Sequence, residues 1–118
     1  MDNLEFSQKL EARFLDFDKK VGDFCRKLPR DDQNREYADQ LNRSSCSIGA
    51  NYIEANESLS RKDFFHRIRI CRKESKECKY WLEIIGYANP LLRTEVENLE
   101  KEALEFLRLF SSILKKAT

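Results

Sequence analysis

The sequence predicts an all-α protein, an up-and-down antiparallel four-helix bundle, on three observations. The 118 residues include only three glycines and two prolines, the residues that most disfavour a helix interior. Hydrophobic residues make up 41 % and charged residues 36 %, the balance expected when polar helix faces surround one apolar interior. Helix-breaking residues at Pro29, Gly86 and Asn89-Pro90, together with helix-capping signatures, divide the chain into four long segments. The length fits a single domain over residues 1–118.

The first and fourth segments are typical of one-sided bundle helices, whose aromatic residues we expect in the core. The first helix, predicted at about 4–27 and ending before Pro29, repeats apolar residues at steps of three and four: Phe6, Leu10, Phe14, Phe17, Val21 and Phe24. The fourth is predicted at about 91–116, with Thr94 and Glu97 as a capping box. Its stripe comprises Leu92, Val96, Leu99, Ala103, Phe106, Leu107, Phe110, Ile113 and Leu114.

The second helix, predicted at about 33–59, is apolar on two sides. At about 100° per residue, one face carries Leu41, Ile48, Tyr52, Ala55 and Leu59. The nearly opposite face belongs to an unusually small-residue stretch and includes Cys46, Gly49, Ala50 and Ile53. A helix apolar on two sides needs two partners, and the bundle core supplies only one. We therefore predict that this second face is an oligomer interface with another copy of the chain.

The third helix, predicted at about 61–87, begins at a Ser60–Asp63 capping signature and carries the charge asymmetry of the chain. Its core stripe comprises Phe64, Ile68, Cys71, Cys78, Leu82 and Ile85. Residues 60–80 hold eight basic and three acidic side chains (+5), whereas residues 29–59 sum to −3 and the whole chain to +1. Seven cations fall within a sector of about 120°, together with Phe65 and Tyr80: Arg61, Lys62, Arg69, Arg72, Lys73, Lys76 and Lys79.

Three interpretations of this basic sector stay open. It is a solvated face neutralised by local pairs such as Lys73–Glu77, a docking surface for an acidic protein, or a nucleic-acid interface. Glu74 and Glu77 fall outside the sector, which favours an anionic partner, RNA or DNA phosphate above all. On the nucleic-acid interpretation, Phe65 and Tyr80 would stack on unpaired bases.

No catalytic, cofactor or metal site is predicted. The single histidine, His66, lacks a second ligand at metal-site spacing and a nucleophile signature nearby. The cysteines form no CxxC pair and are expected to be buried thiols: Cys25, Cys46, Cys71 and Cys78. Apolar runs are too short to span a membrane, and the start lacks a signal peptide. These features predict a cytoplasmic protein without a membrane partner.

Three stretches of the second and third helices resemble a known family. They are LNRSSCSIGAN at 41–51 followed by Glu54-Ala55, SRKDF at 60–64, and KESKE at 73–77 followed by YWL. The resemblance is to the bacterial four helix bundle proteins, also called 23S rRNA-intervening sequence proteins. It covers the whole chain and is specific in the S-I-G-A-N-x-x-E-A stretch.

The resemblance implies a small helical bundle, encoded in some members inside insertions of the large-subunit rRNA gene. The family is similar to accessory proteins of diversity-generating retroelements, which assemble as pentameric barrels and bind nucleic acid and a reverse transcriptase. A homopentamer is therefore the first expectation, with nucleic acid, and a reverse transcriptase or another protein, as partners. The sequence and the resemblance together predict a non-enzymatic homo-oligomer that binds structured RNA, with RNA favoured over DNA. The alternative is a scaffold bundle that docks an acidic protein.

Overall fold

Four antiparallel α-helices build the protein in a computed structural model that describes residues 3–117. They are α1 (Asn3–Arg26), α2 (Asp32–Asn56), α3 (Arg61–Ala88) and α4 (Arg93–Leu114), with 3₁₀ turns at Pro90–Leu92 and Lys115–Ala117. Helices account for 91 % of the described residues, and no strand occurs among them. The molecule measures 44 × 23 × 19 Å, and the predicted four-helix bundle is confirmed. Within residues 3–117 no helix combines the length and apolarity that a membrane span requires.

Side-chain caps fix the starts of α2 and α3. The Asp31 carboxylate accepts a hydrogen bond from the Asn34 backbone N–H at 2.8 Å, and the Ser60 hydroxyl accepts one from the Asp63 N–H at 3.1 Å. Each cap satisfies a backbone donor that has no partner within its helix. The Ser60–Asp63 signature therefore marks the start of α3, as predicted.

The fourth helix begins differently from the prediction. Thr94 lies inside α4, which has no side-chain cap, so the predicted Thr94–Glu97 capping box is wrong. The 3₁₀ turn at Pro90–Leu92 starts the helix instead, with the Leu92 N–H donating to the Asn89 carbonyl at 2.9 Å. Because proline lacks an N–H and has a helical φ, it suits this first position.

The second helix ends earlier than predicted, and Leu59 is not a core residue. The N–H groups of Glu57 and Ser58 turn back to the carbonyls of Ile53 and Ala55 at 3.2 and 3.1 Å, which closes α2 after Asn56. Ser60 already caps the next helix, so residues 57–60 form a turn. Leu59 lies in that turn and is fully exposed.

Phenylalanine side chains fill the core between α1 and α4. The Phe106 ring centroid lies 5.0 Å from that of Phe14 and 5.1 Å from that of Phe17, both edge-on. Phe110 stacks on Phe14 at 5.5 Å. Such ring pairs add to the burial energy by roughly 0.5–1.5 kcal/mol each. Phe6, assigned by its spacing to the same stripe, lies at the bundle end and is 42 % exposed.

A buried amide pair joins the first turn of α2 to the end of α3. The side-chain NH₂ of Asn34 donates to Asn89 Oδ1 at 3.1 Å, and that of Asn89 donates to Asn34 Oδ1 at 2.9 Å. Asn34 also donates to the Pro29 carbonyl, and Asn89 to the Ile85 carbonyl. Two buried polar groups are thereby satisfied, as burial requires.

The cysteines divide between core and surface. Cys71 and Cys78 are buried and Cys25 is partly buried, whereas Cys46 is exposed, so the expectation of a buried thiol is wrong for Cys46. Burial raises the pKa of Cys71 to about 12 and that of Cys25 to about 11. These two thiols therefore stay protonated at neutral pH and serve as small apolar side chains.

Candidate nucleic-acid interface

The cations of α3 form one surface on the outside of the bundle. The core positions of this helix recur at an average of 3.5 residues, the spacing of a left-handed bundle seam. Residues seven apart therefore keep the same direction, and Lys62, Arg69 and Lys76 form one exposed column. We call the following set the basic surface: Arg61, Lys62, Arg69, Arg72, Lys73, Lys76 and Lys79. All are exposed except Lys79, which is partly buried.

The basic surface lacks the carboxylate partners that other cations of the chain have. Arg13 and Lys20 of α1 reach Glu102 of α4 at 3.3 and 3.6 Å, and Lys27 reaches Glu95 at 3.1 Å. In the part of the chain that the structure describes, no cation of α3 has a carboxylate oxygen within 4.0 Å. The expected Lys73–Glu77 pair therefore does not form. The interpretation of a locally neutralised face loses its main support.

Two arginines of α3 have neutral partners. Arg61 donates to the backbone carbonyl of Lys116, and its guanidinium lies over the Phe65 ring at 4.8 Å. Arg67 is partly buried and donates to Asn51 Oδ1 of α2 at 3.0 Å. Arg67 therefore links two helices of the bundle, whereas Arg61 keeps its charge at the edge of the basic surface.

Phe65 does not lie on the basic surface, so its predicted exposure was wrong. Only 7 % of the side chain is exposed, and its ring packs edge-on against Phe64 at 5.2 Å. The prediction counted an ideal 100° per residue, which placed position 65 beside the cations. At the start of α3 the neighbouring Phe64 ring and the Arg61 guanidinium cover the side chain and bury it.

Two tyrosines supply the exposed aromatic rings of this helix. Tyr80 is 59 % exposed, as expected for a surface residue, and packs edge-on against Trp81 at 5.1 Å. Tyr87 is 85 % exposed and was not predicted from the sequence. It lies seven residues after Tyr80, in the same column as Lys73, and this spacing was the signal that could have revealed it.

An acidic pair borders the basic surface where α3 faces α4. Glu83 and Glu100 are hydrogen-bonded to each other across the two helices. Burial, followed by the hydrogen bond and charge of Glu83, raises the pKa of Glu100 to about 7. The hydrogen bond to Glu100 lowers the pKa of Glu83. Near neutral pH the two carboxyls therefore share a proton that resides mainly on Glu100.

The second apolar side of α2 is open to solvent for most of its length. Cys46 and Ala50 are exposed, and Ile53 is half exposed. Gly49 differs, because a Cβ at this position would lie 3.3 Å from Phe14 Cβ of α1. Its small size is already used within the chain, where it lets α1 approach α2.

An exposed leucine of α1 extends this side of α2. Glu11 accepts a hydrogen bond from Asn56 at 2.9 Å and Asp18 accepts one from Ser45, so this side of α1 faces α2. Leu15 lies four residues after Glu11 and three before Asp18, on the same side of the helix, and is largely exposed. We call Leu15, Cys46, Ala50 and Ile53 the apolar patch.

These features define a class of protein, a small four-helix bundle with one basic surface and one exposed apolar patch. Residues 8–112 match the profile of the family described as 23S rRNA-intervening sequence protein. The chain belongs to that family, and the predicted resemblance is confirmed.

A solved structure and a search of curated proteins complete the comparison. The chain is similar to a protein of unknown function from the S23 ribosomal protein family of Bacteroides thetaiotaomicron VPI-5482. The two are 29 % identical, with a TM-score of 0.83 over 92 % of this chain and 97 % of the other. No curated protein matches the chain significantly. Neither the family description nor the name of the Bacteroides protein indicates an enzyme.

Proposed function

We propose that this protein is a non-enzymatic homo-oligomer that binds structured RNA through the basic surface of α3. The observation that carries the proposal is that, within the described residues, no carboxylate oxygen lies within 4.0 Å of these cations. Arg13, Lys20 and Lys27, in contrast, reach carboxylates of α4. An unpaired cation can exchange a diffuse counterion for a phosphate without first breaking an ion pair.

The charge distribution supports a local rather than a general attraction. The whole chain carries a net charge of only +1, whereas residues 60–80 carry +5. One copy would make few phosphate contacts and bind weakly at physiological salt. An assembly of copies repeats the basic surface and gains avidity.

The family description favours RNA over DNA, because it names an intervening sequence of 23S rRNA. Assembly is proposed to occur through the apolar patch, with a pentamer as the first expectation from the family resemblance. Both surfaces would then act together, the patch holding the copies and the basic surfaces holding the RNA.

Charge reversal on the basic surface tests the proposal. In the triple variant Arg69→Glu, Arg72→Glu, Lys76→Glu, affinity for a labelled RNA hairpin, measured by fluorescence anisotropy at low salt, should fall by more than about tenfold. The matched control Arg26→Glu, Arg30→Glu, Arg35→Glu makes the same charge change at exposed sites near Asp23 and Asp32. The control should change affinity by less than about threefold, since these arginines lie at the end of α1, in the following turn and at the start of α2, outside the basic surface.

Salt dependence identifies the mechanism. The affinity of the wild type should fall linearly on a log–log plot, with a slope of about −0.9 per phosphate contact for a duplex. Equal affinities of the triple reversal and the wild type, with unchanged helicity by circular dichroism, would remove the proposal. Binding of an acidic polypeptide in place of RNA would establish the alternative, a bundle that docks an acidic protein.

A further inference from the structure

A cleft of about 480 Å³ opens at one end of the bundle, where α1 and α3 begin and α2 and α4 end. Its volume lies within the range of about 300–1,000 Å³ that small-ligand sites occupy. Phe6, Phe64 and Phe65 supply aromatic walls, and Arg61 and Lys116 supply two cations. The cleft therefore offers flat apolar surfaces beside positive charge.

The aromatic walls differ in exposure, because Phe65 is buried under the Arg61 guanidinium. Phe64 and Phe65 are perpendicular neighbours, with ring centroids 5.2 Å apart, and Phe6 of α1 is partly exposed. A planar ring that enters the cleft would meet aromatic carbon on this side.

Polar atoms line the same cleft from α1 and α2. The Tyr52 hydroxyl donates a hydrogen bond to Ser7 Oγ at 3.3 Å, which leaves the Ser7 O–H and the lone pairs of the Tyr52 oxygen for another partner. Asn56, also in the lining, is bonded to Glu11. Tyr52 and Ser7 can therefore bond the polar edge of a heteroaromatic ring.

The cleft is continuous with the basic surface through Arg61. This residue belongs to both, and its guanidinium covers Phe65 while it holds the Lys116 carbonyl. Lys62 follows Arg61 directly, and Arg69 lies eight residues after Arg61, about 12 Å away along the axis of α3. A strand whose phosphates contact Lys62 and Arg69 would bring a neighbouring base to the mouth of the cleft.

We propose that the cleft holds one unpaired nucleotide of the bound RNA, with its base against the phenylalanines and its phosphate near Arg61 and Lys116. The inference rests on the proposed function and gives it a target, RNA with an extrahelical base rather than an uninterrupted duplex. Proteins that read unpaired RNA stack the base on aromatic side chains in this manner.

Two RNA hairpins that differ at one nucleotide test the inference. One carries 2-aminopurine as a single-nucleotide bulge, and the other carries it paired with uridine. The wild type should bind the bulged hairpin about tenfold more tightly, the low end of what one stacked base contributes. It should also quench the fluorescence of the bulged 2-aminopurine.

Variants in the cleft separate binding of an unpaired base in the cleft from binding of phosphates at the basic surface. Phe6→Ala removes an exposed wall, and Ile113→Trp fills the space from α4. Either change should reduce the preference to less than about twofold, while affinity for the paired hairpin stays unchanged. The matched control Leu91→Ala, which truncates a fully exposed side chain elsewhere, should keep the preference.

The outcomes distinguish this inference from the proposed function. Equal binding of the two hairpins by the wild type, or a preference that survives both cleft variants, would overturn the nucleotide site. The basic surface would still be supported if the triple reversal abolished binding to both hairpins. Displacement of the bulged hairpin by equimolar adenosine monophosphate would reassign the cleft to a free nucleotide. Failure to bind either hairpin would overturn both proposals.

Discussion

At the residue scale, the glycines inside the helices meet different surroundings. A Cβ at Gly22 would have no neighbouring atom within 4 Å, whereas a Cβ at Gly86 would lie 3.0 Å from Val96 Cγ1 and 3.1 Å from an Arg93 nitrogen. Val96 is fully buried and branched at Cβ, so it has little freedom to move aside. The close approach of α3 and α4 therefore depends on Gly86, while Gly22 serves no packing role within one chain.

Replacing these two glycines by alanine should change stability in opposite directions. Gly22→Ala should raise the free energy of unfolding by about 0.5–1 kcal/mol, because alanine is the better helix former. Gly86→Ala should lower it by about 1–3 kcal/mol, since overpacking outweighs the same gain in propensity. Urea unfolding at one protein concentration measures both. A stabilised Gly86→Ala variant would contradict this account of the α3–α4 contact.

At the scale of an element, the contact between α3 and α4 includes a pair of carboxyl groups, Glu83 and Glu100, that share a proton. Glu100 has its pKa raised to about 7 by burial and by Glu83. A carboxyl whose folded-state pKa lies above its unfolded value binds more protons in the folded state between the two values. Its unfavourable effect on stability is therefore complete above pH 7 and disappears as the pH falls towards 4.5. Glu83, with its lowered pKa, acts in the opposite sense at lower pH.

Glu100→Gln should stabilise the protein at pH 8 and have a smaller effect at pH 5. The amide donates a permanent hydrogen bond to Glu83 and removes the repulsion between two charged carboxylates. We expect a gain below about 1 kcal/mol, because the pair borders solvent. Thermal or urea unfolding at the two pH values provides the measurement, and Glu97→Gln, at an exposed site on the same helix, is the control. An equal gain at both pH values would show that Glu100 does not carry the proton.

The positions of individual side chains were harder to predict than the helices that carry them. Apolar stripes such as Leu10 to Phe24 and the Ser60 cap predicted the helices and the start of α3. They did not predict Leu59, because backbone hydrogen bonds close α2 at Asn56. Phe65 was misplaced because helical geometry alone puts it beside the cations, whereas packing against Phe64 and under the Arg61 guanidinium buries it.

The sequence predicted the cations of the basic surface, but it did not predict the cleft that adjoins them. The cations of α3 are separated from Glu74 and Glu77 in sequence-derived geometry, and that separation persists in the structure. The cleft at the bundle end was not predictable, because Phe6 and Lys116 lie at opposite ends of the chain. Only the antiparallel packing of α1 and α4 brings them to the same end of the bundle.

At the scale of the whole molecule, the two surfaces lie on different helices. The basic surface belongs to α3, and the apolar patch belongs to α1 and α2. A second copy bound at the patch would therefore leave the basic surface free, and the number of cations available to one RNA would rise with the number of copies.

Ile53→Glu should both separate the copies and weaken RNA binding. It places a charge in the apolar patch without altering α3, so multi-angle light scattering should report a smaller mass. RNA affinity should fall by more than about tenfold, because avidity is lost. Leu59→Glu makes the same kind of change at a fully exposed site outside the patch and should alter neither property. A wild type that is monomeric at high concentration would exclude assembly through this patch.

The buried Asn34–Asn89 pair has a consequence for how the helices are aligned along their axes. Apolar core contacts tolerate sliding, since a displaced leucine or phenylalanine still finds an apolar neighbour. Two amides do not, because a slip of one turn, about 5.4 Å, would leave both buried without partners at a cost of roughly 1–3 kcal/mol for each unsatisfied group. The pair thus fixes the axial register of α2 relative to α3. It holds the height of α3 constant relative to the patch, so that every copy in a closed assembly would present its cations at the same level.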